Sequence, residues 1–293
     1  MQSNKALISL LSGLMLLSAG CSNSQTAAIL FDDDTDGTAH TSQSIERTLT
    51  VIGASTPYPA LELLAETYKQ EVDNTEIIFL DSSQSDGGIE AVKEGLAAIG
   101  TVTRSPKLEE ADEQLTHRAF ARDGILVGTH PSVTGVSNLT TQNLQDIYSG
   151  KVTNWNELGG PDADVVVLDR AEDTSAKRLL REYYLGDDLA NAPNAILLNR
   201  ERDVIDTLQT MPYSIGTLSL AKATAQSLPI NHMSLDGIEP SPQDIASGKY
   251  GMHRTLGIVW YGTPSKASQG FVDFVFSESG SRILEKAGFV PTS

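Results

Sequence analysis

The chain has 293 residues, 40% of them hydrophobic and 20% charged, with a formal net charge of −17. Length and apolar content suffice for two domains of ordinary size, or one with a deep cleft, and exclude a disordered chain. The negative balance excludes nucleic acid and an anionic membrane surface as partners, but not a small anion held by local dipoles and a few buried cations.

The first element is an export signal. Lys5 precedes the apolar run Ala6 to Leu17, the small residues Ser18-Ala19-Gly20 and the only cysteine, Cys21. The run is too short to span roughly 30 Å of hydrocarbon as a permanent helix, and a basic residue ahead of it marks a segment that is read and removed. Leu17-Ser18-Ala19-Gly20-Cys21 resembles a lipobox. Residues 1–20 are therefore expected to be a lipoprotein signal peptide. Cys21 is then the lipidation site, carrying diacylglycerol and palmitate, of an exported protein anchored to the cell membrane on its periplasmic or outer surface. With no second cysteine, no internal disulfide is available. Residues 21–47, dominated by Ser, Thr, Gln, Ala and Asp, read as a lipidated flexible linker. Within it Asp32-Asp33-Asp34-Thr35-Asp36-Gly37 matches the start of a calcium loop, but Gln43 stands at the position of the bidentate glutamate. A solvated acidic linker is the expectation.

From Glu46 onward short β-like runs alternate with amphipathic helices. Leu49 to Ile52 leads into Gly53-Ala54-Ser55-Thr56-Pro57-Tyr58-Pro59 and the helical spacing of Leu61, Leu63, Leu64 and Tyr68. Glu76 to Leu80 leads into Ser82-Ser83-Gln84-Ser85-Asp86-Gly87-Gly88 and then Ile89, Val92 and Leu96. Val165 to Leu168 leads into Asp169-Arg170-Ala171-Glu172-Asp173-Thr174-Ser175 and a helix from Thr174 to Tyr184. In an open α/β sheet such turns at strand carboxyl ends line one crevice. Each helix start offers unpaired N–H groups to an oxyanion, and an arginine adds a fork that grips two oxygens. A lone Ser, Thr or Asp before a helix is a cap; three such turns with an arginine describe an anion site.

These segments resemble the phosphate-binding solute receptors of ABC importers, which have the type II periplasmic-binding-protein fold, from about Thr48 to Val290. Gly53 to Pro59 is similar to the family's first phosphate loop, and Ser85-Asp86-Gly87-Gly88-Ile89 falls on its second. Thr103-Arg104-Ser105-Pro106-Lys107 is similar to a third turn. Asp123 to Val127, followed by Leu144-Gln145-Asp146-Ile147-Tyr148-Ser149-Gly150-Lys151-Val152-Thr153-Asn154-Trp155, is the most specific stretch. The tail from Phe271 to Pro291 fits the closing helices.

The resemblance implies an α/β, two-lobed fold with the ligand cleft between lobes. Lobe 1 takes residues 48–121 and 223–293, lobe 2 residues 122–222, with crossings near Phe120 to Asp123 and Ser219 to Ala223. It implies ligand-binding roles for Ser55, Thr56, Ser85, Arg104, Arg170, Thr174 and Ser175, with Arg170 foremost. Asp86 and Asp173 replace glycines beside the expected oxyanion. Each is either the acceptor for a ligand proton, or a bystander: Asp173 a helix cap, Asp86 an outward loop carboxylate. The implied ligand is inorganic phosphate or a similar tetrahedral oxyanion, and the implied partner is an ABC permease to which a monomeric receptor delivers it by hinge closure. A non-transport surface lipoprotein acting as sensor, scavenger or adhesin with an altered pocket is the alternative.

Other signals point to no chemistry. His40, His117, His130, His232 and His253 lack metal-ligand spacing, so no metal and no cofactor are expected. Ser219-Leu220-Ala221-Lys222 matches the Ser-x-x-Lys of penicillin-interacting enzymes without its Lys-Thr-Gly, and no nucleophile and base stand at a credible spacing for an enzyme. Trp155 and Trp260 read as core or domain-edge aromatics, and Arg254 as a domain-interface ion pair.

Overall fold

The computed structural model describes residues 47–72 and 75–292. The signal segment, Cys21, the acidic run from Asp32 and His40 lie outside the described residues.

β1 (Arg47–Gly53) leads into α1 (Tyr58–Glu71), and β2 (Thr75–Phe79) into α2 (Ser85–Lys93), with β3 (Ile99–Val102) following. Leu49 and Val51 alternate inward along β1, while Leu61, Leu64, Ala65 and Tyr68 recur at helical spacing on the buried face of α1. α2 ends at Lys93 because Gly95 adopts a left-handed φ of 70°. Leu96, expected on the helix's apolar face, is instead 64% exposed.

The long β4 (Leu115–Thr129) is followed by β5 (Asn138–Leu139), α3 (Thr141–Ser149), β6 (Val166–Arg170) and α4 (Ser175–Leu180), which continues as a π-helical turn over Arg181–Leu185. Then come β7 (Ile196–Leu198), α5 (Glu201–Thr210), β8 (Ser214–Ser219), α6 (Leu220–Ala225), β9 (Asn231–His232), β10 (Ser234–Leu235) and α7 (Pro242–Ala246). β11 (His253–Tyr261), α8 (Lys266–Val275), α9 (Glu278–Lys286) and β12 (Val290–Pro291) complete the described chain. No described helix is long and apolar enough to cross a membrane.

The main sheet has the order β2-β1-β3-β11-β4-β8-β6-β7. β1 lies parallel between β2 and β3, and β6 lies parallel between β8 and β7. β4 joins the two sets: residues 115–124 pair antiparallel with β11, and residues 125–129 pair antiparallel with β8. Each parallel set faces its own apolar cluster. One is built on Val51, Leu61, Leu64, Ile99, Phe120, Ile258 and Phe271, the other on Leu126, Leu144, Tyr148, Trp155, Leu168, Val204 and Leu218. Trp155 is fully buried with its Nε1 donating to the Tyr213 carbonyl at 2.9 Å, and Trp260 is buried in the first cluster. Residues 230–252, expected in lobe 1, add Met233, Leu235, Ile245, Tyr250 and Met252 to the second cluster. They are held there because β9 pairs with the far end of β4 and β10 with β5.

Two glycines bring the first two turns together. Gly53 has φ of 137°, and a Cβ on it would lie 2.3 Å from the Thr101 carbonyl oxygen; a Cβ on Gly88 would lie 2.8 Å from the same atom. Only glycine lets the end of β1 and the start of α2 close against the end of β3.

Candidate functional site

The carboxyl ends of the parallel strands converge on a polar cavity of about 560 Å³. Ser55 and Thr56 enter it after β1, Ser83 and Gln84 after β2, and Thr103 after β3. From the other parallel set come Arg170, Asp173, Thr174 and Ser175 after β6, Asn199 after β7 and Ser219 at the end of β8.

Arg170 is the last residue of β6, one position inside the strand where the sequence placed a turn, and it is 8% exposed. Its Nη2 donates to the Asn199 carbonyl at 3.2 Å, and its Nε is buried with no hydrogen-bond partner among the described residues. Burial pulls this guanidinium below its usual range, against the nearby carboxylate of Glu201. A buried cation with an unpartnered donor beside a polar cavity is a seat for an anion.

The hydroxyls beside it differ in what they can give. Thr174 caps α4: its Oγ1 accepts from Lys177 N at 3.3 Å and donates its proton to the Ala171 carbonyl at 2.8 Å. That overturns the reading of Asp173 as the helix cap. Asp173 is exposed, lines the cavity and makes no hydrogen bond or ion pair among the described residues. Ser175 accepts from Arg254 Nη1 at 3.3 Å.

Ser85, Asp86 and Arg104 are not brought to the cavity wall. The buried Ser85 turns its hydroxyl inward, where Oγ accepts from Thr103 N at 3.1 Å, so Ser83, Gln84 and Thr103 line the cavity in its place. Asp86 is exposed in the first turn of α2 and accepts from the neighbouring Gly87 N at 3.1 Å. Arg104 forms a fork with Glu110, at 2.6 Å and 2.7 Å, and Glu110 also accepts from Lys107 N. Those bonds hold the Glu110 carboxyl down at about 2. A carboxyl depressed in the fold contributes stability above its ordinary pKa of 4.5 and loses it as pH falls toward 2. Glu110→Gln should therefore lower the thermal midpoint at pH 6, with the gap from wild type closing between pH 4.5 and pH 2; a gap that does not change with pH would contradict the assignment.

Arg254, expected in a domain-interface ion pair, belongs to an ionic network along the cavity whose partners were not legible in the sequence. β11 sets Arg254 opposite Asp123 on β4, and the guanidinium donates to Asp123 Oδ2 through Nε at 3.0 Å and Nη2 at 2.7 Å. Nη2 also reaches Glu201 Oε1 at 3.3 Å, while Lys222 pairs with the other Glu201 oxygen. Burial opposes the charge on Arg254, but Asp123 and Glu201 outweigh it and hold the guanidinium above its usual range. Burial likewise opposes charge on Glu201, and Arg254 and Lys222 hold it low. Ser219 donates to Asp123 Oδ1 at 2.9 Å and caps α6 by accepting from Lys222 N, so the Ser-x-x-Lys pair is a helix start. The described residues hold no group of His, Cys, Asp and Glu able to bind a metal.

The family model for the PBP superfamily domain matches residues 37–279. The chain belongs to this superfamily. Its two-lobed α/β architecture is the type II periplasmic-binding-protein fold, and the family is one of substrate-binding proteins, not enzymes. Among curated relatives, the phosphate-binding protein PstS of Borreliella burgdorferi is 26% identical over 256 residues, covering 85% of this chain and 91% of that protein. PstS of Bacillus subtilis is 25% identical over 300 residues, covering 100% of this chain and 96% of that one. A solved structure of a proposed phosphate ABC transporter substrate-binding protein from Clostridium perfringens, with phosphate bound, superposes with a TM-score of 0.70 at 26% identity, over 84% of this chain and 100% of that chain.

Proposed function

We propose that this superfamily member is an extracytoplasmic receptor for inorganic phosphate, held at the membrane by a lipid on Cys21, that delivers its ligand to an ABC importer. The observation that carries the reading is the buried Arg170 with its unpartnered Nε at the wall of a polar cavity. The phosphate named for the relatives supports the choice of oxyanion. Ser55, Thr56 and Ser175 are neutral donors around the same space.

The cavity's volume supports closure around the ligand. One water takes about 30 Å³ of liquid, so a cavity of about 560 Å³ is several times larger than a five-atom anion needs. Groups from the two parallel sets grip such a ligand together only when the lobes draw in, which makes the ligand a switch between open and closed forms. The closed form is the one the permease recognises.

Asp173 supplies selectivity. HPO4 2− carries a proton that an unpartnered carboxylate accepts, whereas sulfate presents only lone pairs and is repelled. Asp173→Asn should cut the preference for phosphate over sulfate by about 10-fold or more, from about 1–3 kcal/mol per mismatched polar group. Equilibrium dialysis at neutral pH with each anion checks this, and an unchanged ratio counts against the role. Equal wild-type affinity for the two anions would remove the basis for the proton-acceptor role altogether. For the anchor, Cys21→Ala should abolish metabolic labelling by a palmitate analogue and shift the protein from the membrane to the soluble fraction. Retained labelling would place the lipid elsewhere.

A further inference from the structure

Arg254 lines the cavity beside the ligand turn and gives four of its five N–H donors to protein partners. Its Nε and Nη2 are taken by Asp123 and Glu201, and its Nη1 goes to Ser175 Oγ at 3.3 Å, across 79 positions of sequence. Ser175 is the first residue of α4, it lines the cavity, and Oγ makes no other hydrogen bond among the described residues. A hydroxyl has one proton and two lone pairs. Accepting from Arg254 fixes one lone pair and leaves the proton of Ser175 to be donated into the cavity. Thr174 has no such freedom, because its proton already lies on the Ala171 carbonyl. The turn's two hydroxyls are thus divided, one for the helix and one for the ligand.

We infer that Arg254 is a positioning residue for oxyanion binding: it presents the Ser175 O–H to the ligand and ties the start of α4 to β11, while Asp123 and Glu201 absorb its charge. The inference rests on the receptor reading above. A guanidinium suits the task because its planar fork serves two carboxylates and a hydroxyl at once, which the point charge of a lysine does not.

The test is a double-substitution cycle on the full chain, with phosphate affinity by calorimetry and the ligand-free thermal midpoint measured for each protein. Ser175→Ala should weaken phosphate about 5- to 10-fold, the range of one neutral hydrogen bond, with the midpoint lowered only slightly by the lost tie to Arg254. Ser175→Thr, which keeps the hydroxyl, should restore most of that loss. Arg254→Lys should weaken binding to a similar extent, and the double variant Arg254→Lys with Ser175→Ala should bind no more weakly than Ser175→Ala alone. Should Arg254→Lys not fold, the serine pair still decides: wild-type affinity in Ser175→Ala overturns the inference. Losses that multiply in the double variant, in a wild-type chain that binds phosphate, overturn it alone. A wild-type chain that binds no phosphate overturns the receptor reading and this inference with it.

Discussion

Arg170→Met should weaken phosphate binding by at least about 100-fold, or roughly 2.8 kcal/mol at 1.4 kcal/mol per decade, and leave the fold intact. Arg170 is 8% exposed, and its guanidinium donates to the Asn199 carbonyl and keeps its Nε without a partner among the described residues. A charge left this poorly paired is costly in the empty protein, and an anion relieves that cost on arrival. Methionine fills similar volume with no charge to solvate, so the ligand-free thermal midpoint should stay level or rise. Calorimetric titration and thermal melting of the same preparation check both halves. Binding within a few-fold of wild type would show that the anion sits elsewhere.

The largest stability effect is expected in α4, at Lys177. Lys177 is fully buried, and its Nζ donates to both oxygens of Asp169, at 2.8 Å and 2.7 Å, and to Asn191 Oδ1 at 3.0 Å. It also lies 5.4 Å from the centre of the Tyr148 ring. Lys177→Met should cost about 3–5 kcal/mol, because it strands a buried carboxylate, and should lower the thermal midpoint by roughly 6–20 °C for a chain of this size. Asp169 also accepts from Arg170 N at 2.8 Å, so phosphate affinity should fall together with stability. Adding Asp169→Asn to Lys177→Met should recover part of the lost stability by removing the stranded charge. A Lys177→Met protein that melts with wild type would contradict the account of this pair.

Much of the cavity was legible in the chain. The turns after β1 and β6 arrive where strand-to-helix alternation placed them, and Arg170, Asp173, Thr174 and Ser175 share the wall with Ser55 and Thr56. What local sequence does not encode is which way a side chain turns. Ser85 lies in the expected turn, yet its hydroxyl is used by Thr103 N, and Arg104 is held by a glutamate six residues on. Lys177 reads in sequence as one more polar helix position, and only the packing of α4 on β6 makes it a core residue. Arg254 reads as an ion-pair residue, but its partner was out of reach for a different reason: Asp123 and Arg254 are 131 positions apart and meet through the register of β4 with β11. Residues 230–252 join the second cluster through two strands of two residues each, too short to leave a periodic signal.

The central claim is that the free side of Arg170 seats a phosphate ion between the two sets of turns. A crystal structure of the full chain grown with phosphate tests it most directly. One tetrahedral anion should accept from Arg170 Nε and from the Ser175 hydroxyl, contacted from the other lobe by Ser55 or Thr56, with Asp173 within hydrogen-bond distance of one oxygen. A cavity that holds no anion at saturating phosphate, or an anion bound away from Arg170, would contradict it.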